Sequence, residues 1–161
     1  MIVIALENVR SVYNVGSIFR TMEGLGFKNV ALIGITPTPL THYGNKRSDF
    51  AKTALGAENT LAWKHYETLG DLIHEYPKAV RVSIEKTNDA RDISQMIADV
   101  SEMEADVIVI FGNEVDGVSK EALSLSTATY QIPMNGTKES FNVAVSAGIC
   151  LYLLSTSMRN D

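Results

Sequence analysis

Three segments of this sequence concentrate residues able to bind or to react. The first, Gly112-Asn113-Glu114-Val115-Asp116-Gly117, sets two carboxylates and an amide between two glycines. The second, Asn135-Gly136, follows Pro133 and Met134. Glycine lets a ligand approach the backbone, and Asn and Gly accept the positive φ that a sharp turn needs. Both segments therefore have the chemistry of small-molecule loops, although neither a G-x-G-x-x-G nor a P-loop motif is present to specify a dinucleotide or a nucleoside triphosphate. The third segment, residues 35–60, carries Lys46, Arg47 and Lys52 against Asp49, with His42, Tyr43 and Phe50 interleaved. It reads either as a basic, aromatic contact surface or as a solvated loop. Cys150 stands alone in an apolar stretch, where a thiol is a packing group. His42, His65 and His74 share no metal-ligand spacing, so no metal site is expected.

The elements that must position these segments follow from hydrophobic periodicity. Met1–Leu6, Asn29–Gly34, Ala79–Ile84 and Asp106–Phe111 are short apolar, β-branched runs, and Ala128–Met134 is a further strand that Pro133 closes. Asn14 is expected to cap a helix over Val15–Leu25 that faces inward through Ile18, Met22 and Leu25. Further helices are expected at Glu67–Tyr76, over Ile93–Val100, and after Gly117. The last begins at Ser140, taken as its cap, and runs through Phe141, Val143, Ala147, Ile149, Leu151 and Leu154 with no polar face. A helix that is apolar all round must be covered all round, by a sheet and by a partner such as a second subunit. Residues 35–60 show no clean period. Strand and helix alternate, so the fold class is α/β, a single domain with a mostly parallel sheet of five or six strands. In such sheets ligands bind beyond the carboxyl ends of the strands, which directs attention to the loops after Leu6, Ile84, Phe111 and Met134.

With 161 residues and 45% hydrophobic composition the chain has the size and character of one globular domain. No run approaches the roughly 20 apolar residues that span a bilayer, the start lacks the basic n-region of a signal peptide, and a lone cysteine suits a reducing cytoplasm. A net charge of −5 argues against holding nucleic acid by bulk electrostatics, so any RNA or DNA contact must be local.

Three stretches carry a specific resemblance. NVRSVYNVGSIFRTMEGLGF, VIVIFGNEVDGVSKEAL and IPMNGTKESFNVAVSAGICLYLL, with KTALGAE at Lys52–Glu58 between the first two, resemble the ordered motifs of the SpoU (TrmH) class of SPOUT RNA methyltransferases. The resemblance spans nearly the whole chain and covers a catalytic domain without an accessory RNA-binding domain. It implies S-adenosyl-L-methionine as cofactor, a ribose 2′-hydroxyl in tRNA or rRNA as acceptor, a homodimer, and a deep C-terminal trefoil knot. Carried over residue by residue, the donor site falls on Gly112, Ile132, Met134, Ser140 and Phe141, with Ser83 as a further candidate. The catalytic set falls on Asn14, Arg20, Glu114, Ser140 and Asn142, and RNA contacts on Arg10, Arg20, Lys46, Arg47 and Lys52. Phe141 departs from the smaller aliphatic residue common in the family.

Each residue also has a plain structural role. Arg20 suits an exposed helix position, Asn14 and Ser140 suit caps, and Glu114 suits a helix start. Within the resemblance, the guanidinium fork of Arg20 would grip a phosphate beside the target ribose, with Glu114 orienting it. Arg20 as the general base is costly, because moving its pKa from about 13 to near 7 takes on the order of 8 kcal/mol. A catalytically silent RNA-binding protein of the same fold, and a small-molecule α/β domain unrelated to RNA, are the alternatives.

Overall fold

A computed structural model describes residues 1–102 and 104–157. Seven strands form one sheet in the order β3-β2-β1-β6-β4-β7-β5. They are β1 Ile2–Glu7, β2 Asn29–Ile33, β3 Ala62–Tyr66, β4 Val80–Ile84, β5 Arg91–Asp92, β6 Val107–Phe111 and β7 Ala128–Gln131. Every pairing is parallel, with β1 Leu6 opposite β6 Phe111 and β4 Ile84 opposite both Phe111 and β7 Tyr130. All strands therefore end at one edge, and all their outgoing loops gather there. The helices are α1 Val12–Gly24, α2 Ser48–Ala54, α3 Leu69–Glu75, α4 Ile93–Ser101, α5 Lys120–Leu125 and α6 Val143–Ser157.

The period of two in a strand separates two cores. Ile4, Leu6, Leu32, Val82, Val109 and Phe111 face α1, α2, α4 and α6. Val3, Ala5, Ala31, Ile33, Ile108 and Ile110 face Leu69 and Leu72 of α3 and Ala122 of α5. Central β6 is buried at every residue, as its unbroken apolar run requires. Cys150 packs in the first core, and burial pushes its thiol pKa up, so it is a filler and not a nucleophile.

Several expectations need correction. The sheet has two strands more than the five apolar runs foretold. β3, AWKHY, carries Lys64 and His65 because it is an edge strand, paired only with β2. Lys64 stacks over the Tyr66 ring at 4.9 Å and pairs with Glu75, which covers that edge. β5 is two residues held by β7, too short to leave a pattern. Residues 35–60 are not one irregular loop, since α2 and a 3₁₀ turn at Ala57–Asn59 occupy the second half. Phe50 leaves the supposed aromatic surface altogether. It is buried and meets Phe19 edge to face at 5.0 Å, where α2 crosses α1. The two helices approach there because residue 16 is glycine; a Cβ would sit 2.0 Å from Thr53 Oγ1.

Two caps also differ. Ser11, not Asn14, caps α1, accepting from the Asn14 N–H at 3.3 Å, so the helix starts at Val12. Asn142, not Ser140, stands at the head of α6, with its Oδ1 accepting from Ala144 N–H at 2.8 Å. β7 ends at Gln131, leaving Ile132 and Met134 in the loop. In the sequence the last apolar stretch continues to Met158, which lies outside the described residues.

Candidate active site at the carboxyl edge of the sheet

The loop after β6 is a closed ring. Asn113 and Gly117 exchange both backbone hydrogen bonds at 3.1 Å, and Asn113 Oδ1 accepts from Val115 and Asp116 N–H at 2.8 and 2.7 Å. Gly112 and Gly117 are both required. A Cβ on Gly112 would overlap the Gly117 carbonyl, and Gly117 has φ +70°. The ring thereby presents Glu114 outward at a fixed angle.

Glu114 reaches back to the loop after β1. Its carboxylate accepts from the N–H groups of Arg10 at 3.1 Å and Ser11 at 3.2 Å, and from Asn14 Nδ2 at 2.8 Å. Asn14 Oδ1 in turn accepts from Asn142 Nδ2 at 3.2 Å. The tie Glu114–Asn14–Asn142 thus links segments about a hundred residues apart in sequence. Because Ser11 caps α1 and Asn142 spends only its Oδ1 on α6, Asn14's amide is free to be the middle of this chain. Partial burial opposes ionisation of Glu114, yet the donors from Arg10, Asn14, Ser11 and its own backbone outweigh it and hold the carboxyl below its ordinary range. Glu114 is therefore an anion that orients Asn14 and the start of α1. The expected grip of Glu114 on Arg20 is not present.

Beside this tie lies a cleft walled by the loops after β4, β6 and β7. Of the residues expected at the donor site, Gly112, Ile132, Met134, Ser140 and Phe141 line it, and so does Glu114 of the expected catalytic set. Ser83 does not. It is fully buried one residue below the cleft and shares a 2.7 Å hydrogen bond with Ser126 Oγ, so it braces β4 against the end of α5. Lining residues that went unnamed in the sequence include Glu85, Lys86, Gln131 and Glu139. Their signal was present only as position, since Glu85 and Gln131 are the residues immediately at a strand's carboxyl end.

Among the basic residues, Arg20 is exposed on α1, and among the described residues no acceptor engages it. The Arg10 guanidinium stands 3.8 Å from Asp116. Arg47 is already committed to Asp49 through a bidentate pair at 3.1 and 2.8 Å, Lys46 donates to Asn59 Oδ1 at 3.2 Å, and Lys52 is exposed. Of these, Arg10 stands beside the cleft, through Asp116 of its lining.

An open, all-parallel α/β sheet whose strand-end loops enclose a cleft defines a protein that binds its ligand at the carboxyl edge of the sheet. A family model described as the SpoU rRNA Methylase family matches residues 1–152, and the chain belongs to that family. It is 26% identical over 159 residues to the tRNA (guanosine(18)-2′-O)-methyltransferase of Escherichia coli, covering 98% of this chain and 64% of that one. It is 31% identical to the enzyme of the same name from Thermus thermophilus, covering 92% of this chain and 71% of that one. The chain thus spans about two thirds of the length of these curated relatives. Its fold matches the SpoU methyltransferase AviRb of Streptomyces viridochromogenes, crystallised with AdoMet, at a TM-score of 0.80 and 20% identity over 98% of this chain and 57% of that one.

Proposed function

We propose that this protein transfers a methyl group from S-adenosyl-L-methionine to a ribose 2′-hydroxyl in tRNA or rRNA. The observation that carries the proposal is the Glu114–Asn14–Asn142 tie, which joins the family's three motif segments beside the cleft. The named relatives act on tRNA, the family description speaks of rRNA, and the fold match includes a protein holding AdoMet.

The cleft suits such a donor. Its lining carries four carboxylates, Glu85, Glu114, Asp116 and Glu139, against the single ammonium of Lys86. An excess of negative charge complements a ligand with a sulfonium and an ammonium group. Ile84, Phe111, Ile132, Met134 and Phe141 supply the apolar surface on which a purine ring can lie. When bound, the donor would supply an electrophilic methyl group to the ribose 2′-oxygen, its sulfur leaving as the neutral thioether of S-adenosylhomocysteine while the hydroxyl proton passes to water.

The remaining work belongs to the chain's own residues and is largely positioning. Gly112, Ile132, Met134, Ser140 and Phe141 hold the donor. Glu114 and Asn142 fix the amide of Asn14, which orients the acceptor ribose. Arg20, unattached and exposed, takes the phosphate next to that ribose through its planar fork, while Arg10, Lys46, Arg47 and Lys52 steer the RNA. The proposal includes a homodimer, supported by the apolar α6, and a deep C-terminal knot, supported by family membership. The setting is the cytoplasm, and among the described residues no helix is long and apolar enough to cross a membrane.

The test is incubation with methyl-tritiated donor and total cellular RNA, then nuclease digestion and mass spectrometry of the nucleosides. Labelled 2′-O-methylnucleosides are expected. RNA binding without donor binding or label would make this a catalytically silent RNA-binding protein and end the proposal.

A further inference from the structure

Glu85, the first residue after β4, sits on the cleft wall and holds the ring at its exit. Its Oε2 accepts from Val118 N–H at 2.8 Å, thirty-three residues away in sequence, and its Oε1 accepts from Lys86 N–H at 2.8 Å. Its own N–H is tied to Tyr130 O at 2.9 Å, so its backbone is fixed to the sheet. The fit against the ring is close, since a Cβ on Gly117 would lie 2.1 Å from Glu85 Oε2. The ring is thus clamped between two carboxylates. Glu114 leaves it to hold Arg10, Ser11 and Asn14; Glu85 enters it to hold its exit.

We propose that Glu85 is a positioning residue for the reaction: by fixing the ring at Gly117–Val118 it sets the angle at which Glu114 meets Asn14, and so couples the donor cleft to the acceptor side of the site. The following residue, Ser119, is held separately by Glu7, which accepts from its N–H at 3.1 Å and its Oγ at 2.8 Å, so Glu85 is the group that fixes the Gly117–Val118 junction itself. Each Glu85 oxygen has one protein donor and can accept a second. Occupancy of the cleft and the pose of Asn14 therefore depend on one carboxylate. This inference rests on the methyltransferase proposal for its role in turnover, but not for its structural content.

The experiment compares Glu85→Gln, Glu85→Ala and, as a neighbour control, Lys86→Ala. Three readouts are taken: the side-chain amide NMR signals of Asn14, calorimetric affinity for S-adenosylhomocysteine, and kcat and KM for RNA methylation. Glutamine keeps one acceptor and turns an amide toward the second N–H, so Glu85→Gln should move the Asn14 signals. It should also lower affinity and kcat by about tenfold each, the size of one lost charge-assisted hydrogen bond. KM for RNA should be little changed. Glu85→Ala should do more, and Lys86→Ala should leave the Asn14 signals in place. A wild-type protein that binds no S-adenosylhomocysteine sinks the methyltransferase proposal, while the Asn14 signals still decide on Glu85. Unmoved Asn14 signals in Glu85→Gln overturn the inference, whether or not the melting temperature falls.

Discussion

Among the described residues nothing accepts a hydrogen bond from Arg20, whereas Glu114 and Asn142 of the same expected catalytic set are both bonded to Asn14. Such freedom suits a group whose partner arrives with the substrate. An ammonium is a point charge without the guanidinium fork, so Arg20→Lys should lower the methylation rate about 100-fold while donor affinity and melting temperature stay put. Steady-state kinetics beside calorimetry read this out. If Arg20 only grips the phosphate, wild type and variant share one pH profile at different heights. A lysine variant with wild-type turnover would return Arg20 to an ordinary surface role. Glu114 gives a second, pH-dependent expectation. Its folded pKa is depressed, so its contribution is present above the ordinary carboxylate pKa of about 4.3 and is lost as pH falls through the lower folded value. The Asn14 side-chain amide signals should hold from neutral pH down past about 4.3 and collapse only below it. Collapse near pH 5 to 6, roughly a unit or more above that ordinary value, would mean that Glu114 is not held as an anion.

At the scale of elements, the head of α6 does two jobs with one amide. Asn142 Oδ1 caps Ala144 N–H at 2.8 Å while Nδ2 donates to Asn14 Oδ1 at 3.2 Å. Asn142→Asp separates them. An aspartate caps as well as asparagine, so helix stability should change by less than about 1 kcal/mol. Its second oxygen, however, faces an acceptor, and the tie to Asn14 is broken. Chemical denaturation should show near wild-type stability beside a large loss of turnover; equal losses of both would mean that the cap alone was at stake. The same region shows what could be read from the sequence. β1, β2 and β6 were legible because a strand covered on both faces is apolar almost throughout, and β4 because Val80, Val82 and Ile84 alternate with Arg81 and Ser83. The ring was legible in outline because Gly112 and Gly117 are forced, the one by a close approach and the other by its positive φ. β3 was not, because an edge strand has no such demand and carries Lys64 and His65. Ser11 and Asn142 were hidden as caps because Asn14 and Ser140 have equal local propensity. What decides is the distant partner, Glu114 for one and Asn14 for the other, and no local pattern reports it. Ser83 was misplaced for a related reason: its position at a strand end was legible, its bond to Ser126 was not.

On the whole molecule, the two faces of α6 differ although its composition does not. Ala147, Cys150, Leu151 and Leu154 are buried against α1, α4 and the sheet. Val145 and Tyr152 are 48% and 57% exposed on the other side, with Ile149 half-buried between them and Tyr13 of α1 61% exposed. Residues 145, 149 and 152 recur at the spacing of one helical face, so the exposed residues form a stripe. The net charge of −5 adds only mild repulsion between copies, and burying such stripes on two chains yields the apolar core of a standard interface of about 1,600 Å². Sedimentation equilibrium at micromolar concentration should therefore give twice the 17.6 kDa chain mass. Tyr152→Glu places a charge at one end of the stripe and should shift the protein to monomer. Circular dichroism should remain that of the wild type, because Tyr152 contributes nothing to either core. If α1 and α6 of two copies meet along this stripe, the Asn142 head of α6 and the Tyr13 turn of α1 come to the interface together with the cleft. The monomeric variant should then lose turnover more than it loses donor affinity. A wild-type protein that sediments as a monomer, or a Tyr152→Glu protein that remains dimeric, would place the interface elsewhere and leave this face of α6 to another partner.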